Sequence, residues 1–220
     1  AADAAIEMLI VRPSMLELID KTTLSAVEAW KPMGFENCEA VLIMQSDESA
    51  IDCQRAQEIA LKHGALDAIY SDDPKDSDDL IQVRKLAYSS LERLGVALLD
   101  DVAVPVSKIS QLVSGVESIA KKHSVKVGVF GHAGDGNMHP TIIYPHNDKE
   151  AEARALKAFN EIIALAQSLG GTASGEHGIG GLKLSALINE TPERILRIQQ
   201  EIKAILDPNK IFNPGKKFPL

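Results

Sequence analysis

The sequence predicts an α+β fold, a mixed or antiparallel sheet with helices packed on one face. Three observations predict it. Amphipathic stretches of helical period alternate with short, β-branched apolar runs along most of the chain. One connection, across 131–136, passes from strand to strand through a tight glycine turn, which a purely parallel sheet does not contain. The chain has 220 residues, 45% hydrophobic and 25% charged, which is an ordinary globular composition with enough length for a sizeable core. No tandem repeat is visible, but ferredoxin-like halves are the expected layout.

Taken in order, Leu16, Ile19, Leu24 and Val27 have the spacing of a helix over 14–30. Residues 38–46 (CEAVLIMQS) read as a strand. Ile51, Ala56, Ile59 and Ala60 predict a helix over 49–63, closed by Gly64, and a short strand follows near 66–71. The acidic run 72–79 is a solvated loop that also caps a helix over 77–94, stopped by Gly95. Residues 96–104 are strand-like, and Ser107 is the expected N-cap of a helix running to about 122 on the stripe Ile109, Leu112, Val113, Val116 and Ile119. The hairpin 125–144 comes next. A long amphipathic helix over 149–169 ends at Gly170-Gly171, and Thr191-Pro192-Glu193 starts a last helix that Asp207-Pro208 stops.

Charge and composition exclude some functions. A net charge of −8 makes nucleic acid a poor partner. No apolar run reaches the roughly 18 residues of a membrane span, and the acidic start lacks the basic n-region of a signal peptide. The two cysteines, Cys38 and Cys53, lie outside any CxxC spacing and are expected to be free thiols in a reducing compartment, the cytoplasm or, in a eukaryote, the mitochondrial matrix. The chain opens on Ala1 instead of Met, so it is expected to be part of something longer.

The hairpin carries the most informative motif, Gly131-His132-Ala133-Gly134-Asp135-Gly136-Asn137-Met138-His139-Pro140. A strand, tight turn and strand can bring His132 and His139 to face each other at one end of the sheet. Neutral imidazoles are common metal ligands, so the pair is half a metal site; alone it could equally be two turn histidines bonded to backbone. The glycines permit positive φ and close approach to the backbone. Asp135 between glycines reads as a turn former.

A second cluster, Ser174-Gly175-Glu176-His177-Gly178-Ile179-Gly180, sets a carboxylate beside an imidazole in a glycine-rich loop. Glu176 could be a third ligand and His177 a free base. Two His and one carboxylate with open positions is the pattern of catalytic metal sites, whereas structural zinc sites are closed and thiolate-rich. The loop lacks the Lys-Ser/Thr of a P-loop and follows a helix, so it is not a phosphate cradle. His63, His123 and His146 sit at element ends among polar residues and read as surface groups. Arg84 shares a helical stripe with Leu80, Ala87 and Leu91. It suits either a surface ion pair or the carboxylate of a ligand in a cleft.

GHAGDGNMHP, SGEHGIG and the terminal DPNKIFNPGKKF, in that order, resemble the C-terminal domain of FAD-linked 2-hydroxy-acid dehydrogenases of the vanillyl-alcohol-oxidase type. This group includes D-lactate dehydrogenases, the flavin subunit of glycolate oxidase and D-2-hydroxyglutarate dehydrogenases. The resemblance runs from Pro13 to the end. It implies one substrate domain over 1–220, with 190–220 a helix and tail packing toward an FAD-binding domain that this chain does not contain, and an enzyme inactive without that domain. It assigns metal ligation, by Zn or Mn, to His132, His139 and Glu176, the base beside the flavin to His177, a substrate-carboxylate contact to Arg84, and a place near the FAD to Asn213. The implied partners are a small D-2-hydroxy acid and the parent protein's FAD-binding domain, with a homodimer allowed.

Leu99 and Thr141 stand where the 2-hydroxyglutarate branch has a Lys and an Asn, which favours a smaller monocarboxylate such as D-lactate or glycolate. The competing readings are a metal-binding or assembly module without catalysis, a metal hydrolase using an activated water, and a fragment of a 2-hydroxyglutarate-type enzyme.

Overall fold

A computed structural model describes residues 1–218. Its centre is an antiparallel sheet built from β1 (Met15–Asp20), β2 (Ala40–Gln45), β3 (Val96–Leu99), β4 (Val102–Ala103), β5 (Lys126–His132) and β6 (Asn137–Tyr144). The order is β2-β1-β5-β6-β3, and β4 also pairs with β6. Every pairing is antiparallel. The α+β class and the antiparallel sheet are therefore what the chain adopts.

Helices lie on both faces of the sheet instead of one. On one face Leu16, Leu18, Val127, Val129, Met138 and Ile142 pack against α5 (Ile109–His123) and α6 (Lys149–Ser168), with α1 (Ala2–Met8) and α3 (Ala50–Lys62) at the side. On the other, Ile19, Ile43, Phe130 and Ile143 pack against α2 (Lys21–Trp30) and α4 (Pro74–Glu92). Successive strand residues point to opposite faces, and here both parities are apolar. Such strands cannot leave one face in water, which is why the one-sided layering fails.

Four further elements depart from expectation. The helix predicted over 14–30 is β1 followed directly by α2, with the Asp20 carboxylate accepting from the Thr23 N–H at the junction. Leu16 and Ile19 have helical spacing, but Leu16, Leu18 and Ile19 are all buried, as a central strand between two helical layers requires. No strand forms at 66–71, where Leu66 and Ile69 are exposed. Ser107 sits inside a 3-10 turn, Val106–Lys108, ahead of α5 and caps nothing by its side chain. The run 96–104 is two strands, broken at the buried Asp100 and Asp101.

The hairpin is as the sequence indicated. Phe130 lies opposite His139, and His132 opposite Asn137. His132 and His139 are therefore diagonal neighbours on the α2/α4 face. The turn needs glycine at 136: its φ is +87°, and a Cβ there would lie 2.0 Å from the Val104 carbonyl oxygen. α7 (Leu184–Glu190) and α8 (Glu193–Leu206) follow the glycine-rich loop, and Ile195, Ile198, Ile202, Ile205 and Leu206 of α8 are all exposed. No helix among the described residues is long and apolar enough to cross a membrane.

Gly136→Ala and Gly64→Ala separate backbone strain from the close approach. Both glycines have positive φ, but nothing lies near a Cβ at Gly64. Denaturant unfolding should show Gly64→Ala losing on the order of 1 kcal/mol, and Gly136→Ala losing more, about 1–3 kcal/mol beyond it. Equal losses would mean that the turn does not approach Val104 as described.

Candidate functional site

The site lies at the sheet end where β5 finishes and β1 and β6 begin, on the α2/α4 face, closed by the loop between α6 and α7. His132 is the last residue of β5 and His139 is the third of β6, and their ring centroids are 5.3 Å apart at right angles. The Glu176 Oε1 atom lies 3.4 Å from the Nε2 atoms of both His132 and His139. His177 stacks on His139 with centroids 5.1 Å apart, and its Nε2 is 3.5 Å from the same Glu176 oxygen. The ring of His139 is enclosed, whereas the His177 side chain is 47% exposed. Neighbours in sequence thus take different positions: Glu176 reaches between the hairpin histidines and His177 stands at the mouth.

Burial, and then the nearby His132 and His177, push the His139 pKa down to about 4, so its ring is neutral at pH 7. Burial opposes charge on His132 too, but its hydrogen bond and charge interaction with Glu17 outweigh this and raise its pKa. Two imidazoles and a carboxylate, with ligand atoms all within 4.8 Å of one another, match the donor set of an open divalent-metal site. Bonds of about 2.1 Å in a tetrahedral arrangement set ligand atoms roughly 3.4 Å apart, which is the separation of Glu176 Oε1 from each Nε2. Asp101, His139 and His177 form a second such group. It is the poorer one, because the Asp101 carboxylate already accepts from the N–H groups of Glu176 and His177 and from the Ser174 hydroxyl.

These last bonds are what hold the loop. Burial disfavours the Asp101 charge, but the N–H groups of His177 and Glu176, with Lys183 nearby, bring its pKa below the usual carboxylate value. Lys183, itself buried, donates to the Asp101 carbonyl at 2.6 Å and the Ala173 carbonyl at 2.7 Å, and pairs with Asp100 at 2.7 Å. Burial raises the Asp100 pKa against the pull of Lys183. The loop's approach also requires Gly175, where a Cβ would fall 2.2 Å from the Asn137 side chain.

Arg84 comes from α4, whose Ala87 and Leu91 are buried while Leu80 and Tyr88 are partly exposed. Its guanidinium lies over the Phe130 ring, 5.5 Å from the centroid, and its Nε donates to Glu17 Oε2 at 2.5 Å. The other Glu17 oxygen is 2.5 Å from His132 Nδ1. Asn213 lies beyond α8 on an exposed segment and shares no hydrogen bond with the cluster among the described residues. His63 and His123 pair with Glu7 and Glu161 at the surface.

Sequence reasoning thus named the groups that converge, His132, His139, Glu176 and His177; for Arg84 it left a surface ion pair or a ligand carboxylate open, and the structure sets its side chain on Glu17, which also meets His132. It missed Glu17, Asp101 and Lys183. A usable signal existed for Glu17: a lone carboxylate in the apolar strand Met15-Leu16-Glu17-Leu18-Ile19.

Comparison with known proteins bears on this arrangement. The family model described as FAD linked oxidases, C-terminal domain, matches residues 1–217. The glycolate oxidase subunit GlcD of Bacillus subtilis is 34% identical over 94% of this chain and 45% of its own length. A D-lactate dehydrogenase of Archaeoglobus fulgidus is 35% identical over 93% of this chain and 45% of its own length. The chain therefore spans less than half the length of these relatives. Among solved structures, substrate-bound p-cresol methylhydroxylase aligns with a TM-score of 0.61 over 98% of this chain and 50% of its own, at 13% identity, a likeness of fold.

The buried Lys183 gives the loop anchor a direct test. Lys183→Met leaves the Asp100 carboxylate buried without its cation, and should cost about 3–5 kcal/mol in chemical denaturation. Adding Asp100→Leu should recover part of that loss, since an apolar pair can replace a buried ion pair. Full stability in Lys183→Met alone would contradict the anchoring.

Proposed function

The chain belongs to the family of FAD-linked oxidase C-terminal domains, and from that premise we propose that it is the substrate- and metal-binding part of a flavin-dependent dehydrogenase for a small D-2-hydroxy acid, D-lactate or glycolate. The observation that carries this reading is the convergence of Glu176 on both Nε2 atoms of His132 and His139, with His177 and Arg84 at the open side. A divalent cation held by His132, His139 and Glu176 would supply Lewis-acid polarisation of the substrate hydroxyl, and FAD the acceptor for the hydride from C2.

The remaining work falls to this chain's side chains. Arg84 directs its terminal nitrogens to the substrate carboxylate; its Nε is held by Glu17 and its guanidinium lies over the Phe130 ring, so the fork is fixed in direction. His177 takes the proton from the C2 hydroxyl. Its ring stands half-exposed at the mouth of the site, stacked on His139, where a substrate can reach it. Asp101 keeps the acceptor in place by holding both N–H groups of the Glu176-His177 pair. Leu99 and Thr141 are direct cross-strand partners. An apolar residue and a small hydroxyl there offer no cation for a second carboxylate, which supports a monocarboxylate substrate.

The FAD-binding domain of the same polypeptide is the proposed partner. The exposed apolar side of α8, with Ile211 and Phe212 beyond it, supports docking through 190–220, with Asn213 turned toward the flavin. The cytoplasm or the mitochondrial matrix is the proposed compartment.

Elemental analysis of protein purified without chelators should find up to one divalent ion per chain, and His132→Ala with His139→Ala should remove it; unchanged metal content would refute the ligand set.

In the complete flavoprotein, His177→Asn should keep its metal but slow anaerobic flavin reduction by D-lactate or glycolate by about 10²–10⁴-fold in stopped flow. Arg84→Lys should mainly raise KM, because Lys keeps the charge but loses the fork. Reduction of His177→Asn at the wild-type rate would mean that the proton acceptor lies elsewhere.

A further inference from the structure

Glu17 is a carboxylate buried in the middle of the sheet, its side chain only 4% exposed. A buried carboxylate is costly unless both oxygens are satisfied. Here each oxygen serves a different group: Oε1 lies 2.5 Å from His132 Nδ1, and Oε2 accepts from Arg84 Nε at 2.5 Å. Glu17 and His132 are register partners on β1 and β5, so the strand pairing itself fixes this contact. Arg84 arrives from α4, across the helix–sheet interface.

An Arg fork paired with one carboxylate often spans both of its oxygens. Glu17 instead divides its oxygens between one group proposed to bind metal and one proposed to bind substrate. The geometry points to Glu17 as a positioning residue that orients His132 and Arg84 together. The inference rests on the metal and substrate reading of this site.

The chemistry follows from what a carboxylate can do. An ionised carboxylate only accepts hydrogen bonds. The proton facing it must therefore be on His132 Nδ1, which leaves the Nε2 lone pair directed at the space shared with Glu176 and His139. The same carboxylate takes the Nε edge of Arg84 and so leaves the terminal nitrogens for a ligand. One side chain thus sets the tautomer of a metal ligand and the aim of a carboxylate-binding group.

Glu17→Gln separates these roles cleanly. Arg84 cannot give up its proton, so the amide oxygen would serve Arg84 Nε and the amide NH2 would face His132 Nδ1. His132 would then accept at Nδ1 and carry its proton on Nε2, the wrong atom for a ligand. The experiment uses the full-length flavoprotein. Isotope-edited NMR of the histidine rings in metal-stripped protein, recorded at a pH alkaline enough that His132 is singly protonated, should show that proton on Nδ1 in wild type and on Nε2 in Glu17→Gln.

Chelator competition with Zn2+ or Mn2+ should show Glu17→Gln binding about 10–100-fold more weakly than wild type. In a His132→Ala background the same substitution should change affinity by no more than about twofold. A purely structural role would weaken binding equally in both backgrounds and would overturn the inference. So would an Nε2–H tautomer of His132 in the wild type, a measurement that holds even if Glu17→Gln fails to fold. So would wild-type affinity in Glu17→Gln. Failure of the metal reading looks different: wild-type protein would then take up no ion at all, and this role would fall with it.

Discussion

The site depends first on a single buried carboxylate, that of Asp101. It holds the N–H groups of Glu176 and His177 and the Ser174 hydroxyl, so a loop with little regular structure is fixed against the end of a rigid sheet. Lys183 completes the anchor from the far side of the loop, through the carbonyls of Asp101 and Ala173 and the carboxylate of Asp100. Without these bonds Glu176 would have no defined position relative to the hairpin. Asp100 and Asp101 also end the pairing of β3 and begin that of β4, so the break in the strand and the anchoring of the loop are one feature.

Around that anchor the fold divides its tasks. The β5–β6 pair supplies His132 and His139 at fixed register, and α4 supplies Arg84 from the neighbouring layer. The loop adds the third donor and the exposed imidazole. Groups set on strands and a packed helix are held more closely than groups on loops, and here the one loop that contributes is tied down by buried polar bonds. The interior histidine, His139, is neutral because it is buried, and the outer one, His132, is held by Glu17. The same environment that makes one ring a ready electron-pair donor gives the other a fixed orientation.

Much of this was legible in the sequence. The hairpin, α3, α4, α6 and α8 announced themselves through periodicity, turn residues and end signals, and the two motif segments contained the three imidazoles around the Glu176 carboxylate. What stayed hidden depended on long-range packing. β1 and α2 read as one helix because Leu16, Ile19, Leu24 and Val27 suit a helical stripe; only the second helical layer makes 15–20 a strand. Residues 66–71 have strand-forming Ile69 and Tyr70 but find no sheet edge. Glu17 lies 67 residues from Arg84 and 115 from His132, Asp101 lies 75 from Glu176, and Lys183 lies 82 from Asp101, and no local pattern reports contacts of that span.

The central claim is that His132, His139 and Glu176 together hold one divalent ion beside a free His177. Anomalous diffraction from crystals of the full-length protein, recorded at the absorption edge of its bound metal, tests it most directly. The predicted result is a single anomalous peak within bonding distance of His132 Nε2, His139 Nε2 and a Glu176 oxygen, with the His177 ring outside the coordination sphere. A peak elsewhere, a peak ligated by His177, or no peak in protein supplied with Zn2+ or Mn2+ would contradict it.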